Sequence, residues 1–66
     1  MTISINGEPR RIERAGNVAE LIEELAFPAP ATLVEHNGVA LRREEWSESA
    51  LAEGDRIELV RIVAGG

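Results

Sequence analysis

The 66-residue chain is predicted to be an α+β domain in which one helix packs on one sheet of four to five strands, and three observations carry that prediction. Apolar and polar residues alternate near both ends, in MTISI (1–5) and RIELV (56–60), which is the period-two pattern of half-buried strands. Asn-Gly occurs twice, at 6–7 and 37–38, each time where a tight turn would join two such runs. Between the turns lies one apolar stripe at helical spacing, formed by Val18, Leu21, Ile22, Leu25 and Ala26.

In the first strand Met1, Ile3 and Ile5 alternate with Thr2 and Ser4. Asn6-Gly7 suits the positive dihedrals of a type I′ turn, and the return strand should run over about 8–14. That segment is polar apart from Ile12 and contains Pro9, so it belongs at a sheet edge, where a missing N–H does little harm. The helix follows, with Asn17 placed to cap it, Glu20 three positions on as a variant capping box, and Pro28 and Pro30 barring its continuation. At about nine or ten residues it would be marginal alone in water, so it must lie on the sheet. TLVEH (32–36) and VAL (39–41) form the second hairpin around Asn37-Gly38. RREEWSESALAEGD (42–55) is charged and irregular, anchored by Trp46 and Leu51, with one helical turn expected near Glu44–Trp46 and a chain reversal at Gly54-Asp55. RIELVRIV (56–63) is the last strand, which makes the order β, β, α, β, β.

The length allows one domain, 1–66, and a domain this small buries only about 60% of its unfolded surface. A deep catalytic pocket would compete with the core for apolar side chains, so no catalytic residues are assigned and the chain is not expected to be an enzyme. Without cysteine it has neither disulfides nor thiolate metal sites, which fits a cytoplasmic protein. Twelve acidic against seven basic residues give a net charge of -5, which disfavours nucleic acid and anionic membranes. The charge favours a partner with a basic surface or simply maintains solubility. There is no basic leader before an apolar run and no stretch long enough to span a membrane, so an unprocessed, soluble protein, monomeric when free, is expected.

The chain given closes on RIVAGG (61–66), where a strand-like run passes into two glycines. Lacking Cβ atoms, consecutive glycines let a backbone enter a passage too narrow for other residues. The segment 64–66 is therefore expected to be a flexible tail that becomes fixed on binding. Its one addressable group would be the Gly66 α-carboxylate, a poor electrophile until its oxygen becomes part of a leaving group. Adenylation by ATP would achieve this, since a mixed anhydride presents an acyl carbon open to a sulfur or nitrogen nucleophile. The glycines of GEP, NGV and EGD are isolated turn residues and match no phosphate-cradling motif, so activation would have to come from another protein.

The terminal Gly-Gly, the strand leading into it, the Asn-Gly hairpin after strand one and the EGD turn before the last strand together resemble the ubiquitin-like β-grasp sulfur carriers. Among these, the short chain, REEW at 43–46 and the ending VAGG resemble the ThiS family most. The resemblance spans the chain and implies a mixed sheet with first and last strands adjacent and parallel at its centre. It also implies a sulfur carrier for the thiazole of thiamin, with no cofactor of its own. An E1-like adenylyltransferase of the ThiF type would use ATP to adenylate Gly66, and a sulfur donor would convert it to a thiocarboxylate. A thiazole synthase of the ThiG type would accept the sulfur. Ala64 and Gly65 would thread into the partner. Two alternatives stand beside this: the small subunit of molybdopterin synthase (MoaD type), and a β-grasp interaction module whose glycine ending is incidental.

Val60 and Ile62 have the opposite parity to Ile57 and Leu59, so in a regular strand they lie with Val63 beside the tail as a docking face, unless a bulge or loop covers them. Arg61 should snorkel over the core edge. Trp46 should plug the core and Phe27 close the bottom of the helix. His36, the only histidine, is expected to be partly buried and bonded to backbone rather than to a metal. The carboxylates at 23–24, 44–45, 48 and 53 are read as a solvated face, or in part as contacts for a basic partner.

Overall fold

The computed structural model describes residues 1–62, so the expectations for Val63 and for the 64–66 tail lie outside the described residues. The elements are β1 (Thr2–Ile5), β2 (Glu8–Arg11), α1 (Val18–Glu24), β3 (Thr32–His36), β4 (Val39–Leu41) and β5 (Arg56–Arg61), with 3-10 turns at Ala29–Ala31 and Arg43–Glu48. Five strands form one sheet in the order β2-β1-β5-β3-β4. β1 and β5 pair in parallel, whereas β1–β2, β3–β4 and β3–β5 are antiparallel. This is the mixed, centrally parallel β-grasp sheet with its helix on one face.

Both hairpins turn as their Asn-Gly pairs require, with φ near 52° at Asn6 and Asn37 and near 84° at the glycines that follow. The register sets Ile5 beside Ile57 and Val34 beside Leu59, which brings the inward side chains of three central strands under Val18, Leu21 and Ile22 of α1. Burying a side chain as completely as Leu21 or Ile57 contributes about 2–3 kcal/mol, and this, rather than helix propensity, holds a helix of only seven residues. Trp46 and Leu51 are buried, as their role as anchors requires, and Phe27 packs half-buried against the core. The indole N–H of Trp46 has no hydrogen-bond acceptor among the described residues.

The helix is shorter than its apolar stripe suggests. It ends in a Schellman motif: Ala26 has a φ of 57°, its N–H donates to the Glu23 carbonyl at 3.0 Å, and the Phe27 N–H donates to the Ile22 carbonyl at 3.1 Å. The reversal thus precedes Pro28 instead of being imposed by it. At the other end Asn17 Oδ1 accepts from the Glu20 N–H at 2.9 Å, as expected. The Glu20 carboxylate reaches one residue past the cap, accepting from the Gly16 N–H at 2.7 Å.

β2 stops at Arg11 rather than running to Arg14: Ile12 still exchanges backbone bonds with Met1, but the N–H groups that follow it are satisfied elsewhere. Ile12 turns into the core, and the N–H groups of Glu13, Arg14 and Ala15 all donate to the Glu24 carboxylate, at 3.2, 3.1 and 2.9 Å. Glu24 is therefore a clamp on the loop into α1, not an idle member of a solvated face. Its carboxyl is held below the usual range first by the Glu13 N–H, which with Ala15, Arg14 and the Arg14 charge outweighs desolvation. Glu45 and Glu53 also accept from backbone, from the N–H groups of Arg42 and Thr2. The irregular segment forms a six-residue 3-10 turn, longer than the expected single turn because Glu45 caps its start and the Ser49 hydroxyl donates to the Glu45 carbonyl at 3.0 Å.

Candidate functional site

β5 leads toward the chain end, and what holds its last residues decides how the segment beyond is presented. On one side β3 accompanies it, with Leu33 opposite Val60 and Thr32 opposite Arg61. The Ile62 N–H extends that pairing by donating to the Ala31 carbonyl at 2.6 Å. On the other side β1 ends at Ile5, and the side chain of Asn6 takes over the strand's role. Asn6 Oδ1 accepts from the Leu59 N–H at 2.8 Å, and its Nδ2 donates to the Leu59 carbonyl at 3.2 Å. An amide offers one acceptor and two donors, so it can reproduce a ladder rung where the backbone has turned away. Asn6 was legible in the sequence only as a turn residue.

Since Leu59 directs its N–H and C=O toward Asn6, the two-residue alternation of an antiparallel pair directs those of Arg61 to the same side. No strand among the described residues lies there, so β5 approaches its end with one backbone edge open. The Arg61 side chain is exposed, as snorkelling requires.

Val60 and Ile62 are 57% and 49% exposed, and neither a bulge nor a loop of the described residues covers them. Val63, grouped with them from the sequence, lies outside the described residues, as do Ala64, Gly65 and Gly66. The structure adds Leu33, 54% exposed and directly across from Val60. Leu33 and Val60 border a shallow depression on the face away from α1, which also includes Ala40 and the glutamates 35 and 58. Glu35 and Glu58 are themselves a directly opposed cross-strand pair. A wider cleft lies beside α1 against Glu13–Ala15, but the polar backbone lining it is already bonded to Glu24.

His36 departs from expectation. Its Nε2 meets Asp55 Oδ2 at 2.7 Å rather than a backbone group, and the two side chains are only 15% and 14% exposed. Asp55 also accepts from Asn37 Nδ2 at 3.1 Å and from the Ala52 N–H at 2.9 Å. Burial pushes its carboxyl up, but the bonds from His36, Asn37 and Ala52 outweigh this and hold it below the usual value. The cluster ties the β3–β4 turn to the start of β5 and is structural in character. Among the described residues no group of three or more His, Cys, Asp or Glu side chains is arranged to hold a metal, and no helix is long and apolar enough to cross a membrane.

Comparison with known proteins gives this geometry a context. The model of the ThiS family matches residues 3–66. The sulfur carrier protein ThiS of Escherichia coli K12 is 29% identical over 66 residues, which are the whole of both chains. The thiazole synthase of Paramagnetospirillum magneticum is 30% identical over the whole of this chain, which spans only 20% of that protein's length. The crystal structure of the thiamine biosynthesis protein ThiS from Geobacter metallireducens superposes with a TM-score of 0.85 at 33% identity, each chain covering 100% of the other. With the family's pattern matched over nearly every residue and the fold shared with a solved member, this chain belongs to the ThiS family.

Proposed function

We propose that the protein is a sulfur carrier of thiamin biosynthesis, a protein substrate with no catalytic residues of its own, acting in the cytoplasm. The Gly66 carboxylate attacks the α-phosphate of ATP within a ThiF-type adenylyltransferase, pyrophosphate leaves, and an acyl adenylate forms. A sulfide-level sulfur nucleophile supplied by a donor then attacks the acyl carbon, AMP leaves, and a thiocarboxylate forms with no change of oxidation state. A ThiG-type thiazole synthase takes up that sulfur. The apolar face bearing Leu33, Val60 and Ile62 docks the activating enzyme, while Ala64 and Gly65 pass into its cleft.

Membership of the ThiS family, over a span that includes the Gly-Gly, is the observation that carries this reading. That a thiazole synthase contains a segment homologous to this whole chain supports thiazole, rather than molybdopterin, as the destination of the sulfur. The open edge of β5 supports the presentation of an extended segment to a partner.

The test is pyrophosphate release from ATP by a ThiF-type enzyme. The wild-type chain supports release, whereas Gly65→Trp, or one residue added after Gly66, abolishes it and leaves the circular dichroism spectrum unchanged. Undiminished release from either variant would refute the narrow-passage mechanism.

A further inference from the structure

Resting on that reading, the arrangement of the open face specifies what the activating enzyme must present to it. Leu33 and Val60 oppose each other across β3 and β5, and the next outward pair along the same two strands is Glu35 opposite Glu58. Directly opposed like charges work against a sheet. Neither glutamate forms a salt bridge among the described residues, whose ion pairs are Arg11–Glu13, His36–Asp55 and Arg42–Glu45. Arg56 lies two residues from Glu58 on the same face but does not close on it within ion-pair distance. Ala40, beside Glu35 on β4, leaves room above the backbone where a larger side chain would fill the depression.

An apolar half and a doubly acidic half therefore share one shallow depression. A purely apolar partner would leave the two carboxylates facing each other under cover, and a second copy of this face would bring four together. A cation seated between them turns the repulsion into two charge-assisted contacts, and a planar guanidinium can bond both carboxylates at once. We infer that the depression seats a segment of the ThiF-type enzyme carrying an exposed apolar side chain, placed on Leu33 and Val60, next to an arginine held between Glu35 and Glu58. The glutamate pair then serves as a specificity element, selecting a basic-flanked segment over other apolar surfaces.

The test compares Glu35→Gln/Glu58→Gln with Glu44→Gln/Glu48→Gln, which removes the same charge from the 3-10 turn instead. Binding to the enzyme without ATP, and KM and kcat for pyrophosphate release with it, are measured at several salt concentrations. The 35/58 variant is expected to bind about tenfold or more weakly, with raised KM, unchanged kcat and a flatter salt dependence. The 44/48 variant should change binding less than about twofold. Removing the opposed charges should leave the melting temperature no lower than wild type, so weak binding is not misfolding. Equal effects of the two variants, or a wild-type chain that self-associates through this face, would overturn the inference. If wild type binds but releases no pyrophosphate, the proposed activation fails and the binding comparison still decides this inference. If wild type does not bind at all, both are refuted.

Discussion

The proposed docking face is best tested by making it more polar with residues that still suit a strand. Leu33→Thr, Val60→Thr and Ile62→Thr together keep side chains that suit a strand, and all three positions are about half exposed, at 54%, 57% and 49%. Fully burying a Val, Leu or Ile side chain contributes about 1.5–3 kcal/mol, so the exposed halves hold about 1 kcal/mol each and about 3 kcal/mol in total for a partner that covers them. Threonine retains part of that apolar area, which leaves a loss of about 2 kcal/mol, or roughly thirtyfold in Kd. Titration calorimetry against a ThiF-type enzyme without ATP reads this number. The fold should lose no more than about 1.5 kcal/mol, since surface substitutions away from the core rarely cost more than about 0.5 kcal/mol each. An affinity within twofold of wild type would show that the activating enzyme docks elsewhere.

Two predictions concern the frame behind that face. Asp55→Ala removes bonds to His36, Asn37 and Ala52 and should cost about 2–4 kcal/mol by thermal unfolding at pH 7. Because the Asp55 carboxyl is held below its usual value of 3.8, its contribution is complete above that pH and is lost as pH falls through the lowered native value. The stability gap to the variant should narrow accordingly, and a constant gap to pH 2 would contradict the role given to the charge. Ala26→Gly should stabilise by about 0.5–1 kcal/mol, because Ala26 holds a φ of 57° that a Cβ penalises, and a destabilised variant would refute strain at the Schellman position.

Features set by near neighbours were legible before the fold was known. The two Asn-Gly turns, the alternation in β1 and β5 and the stripe from Val18 to Leu25 each have a local period or dipeptide that physics reads directly. The exposure of Val60 and Ile62 also followed from parity alone, since β5 runs without a bulge. Pairings that join distant segments carried no such sign. Glu24 resembled any helix-surface carboxylate, yet the loop at 13–15 folds back over it. Asn6 reads as a turn residue until β5 lies beside it, 53 positions away. His36 and Asp55 meet only because β3 and β5 pair in one register, the same register that opposes Glu35 to Glu58. Ala26 gave no warning of the helix end, because alanine is the residue least suggestive of a left-handed turn.

The central claim is that the Gly66 carboxylate exchanges an oxygen for sulfur. Intact-mass spectrometry of the protein after incubation with ATP, a ThiF-type enzyme and a sulfur donor tests it most directly. The account predicts a mass increase equal to the difference between sulfur and oxygen, confined on fragmentation to Gly66 and absent when ATP is omitted. An unchanged mass, despite an enzyme active on its own carrier, would contradict it.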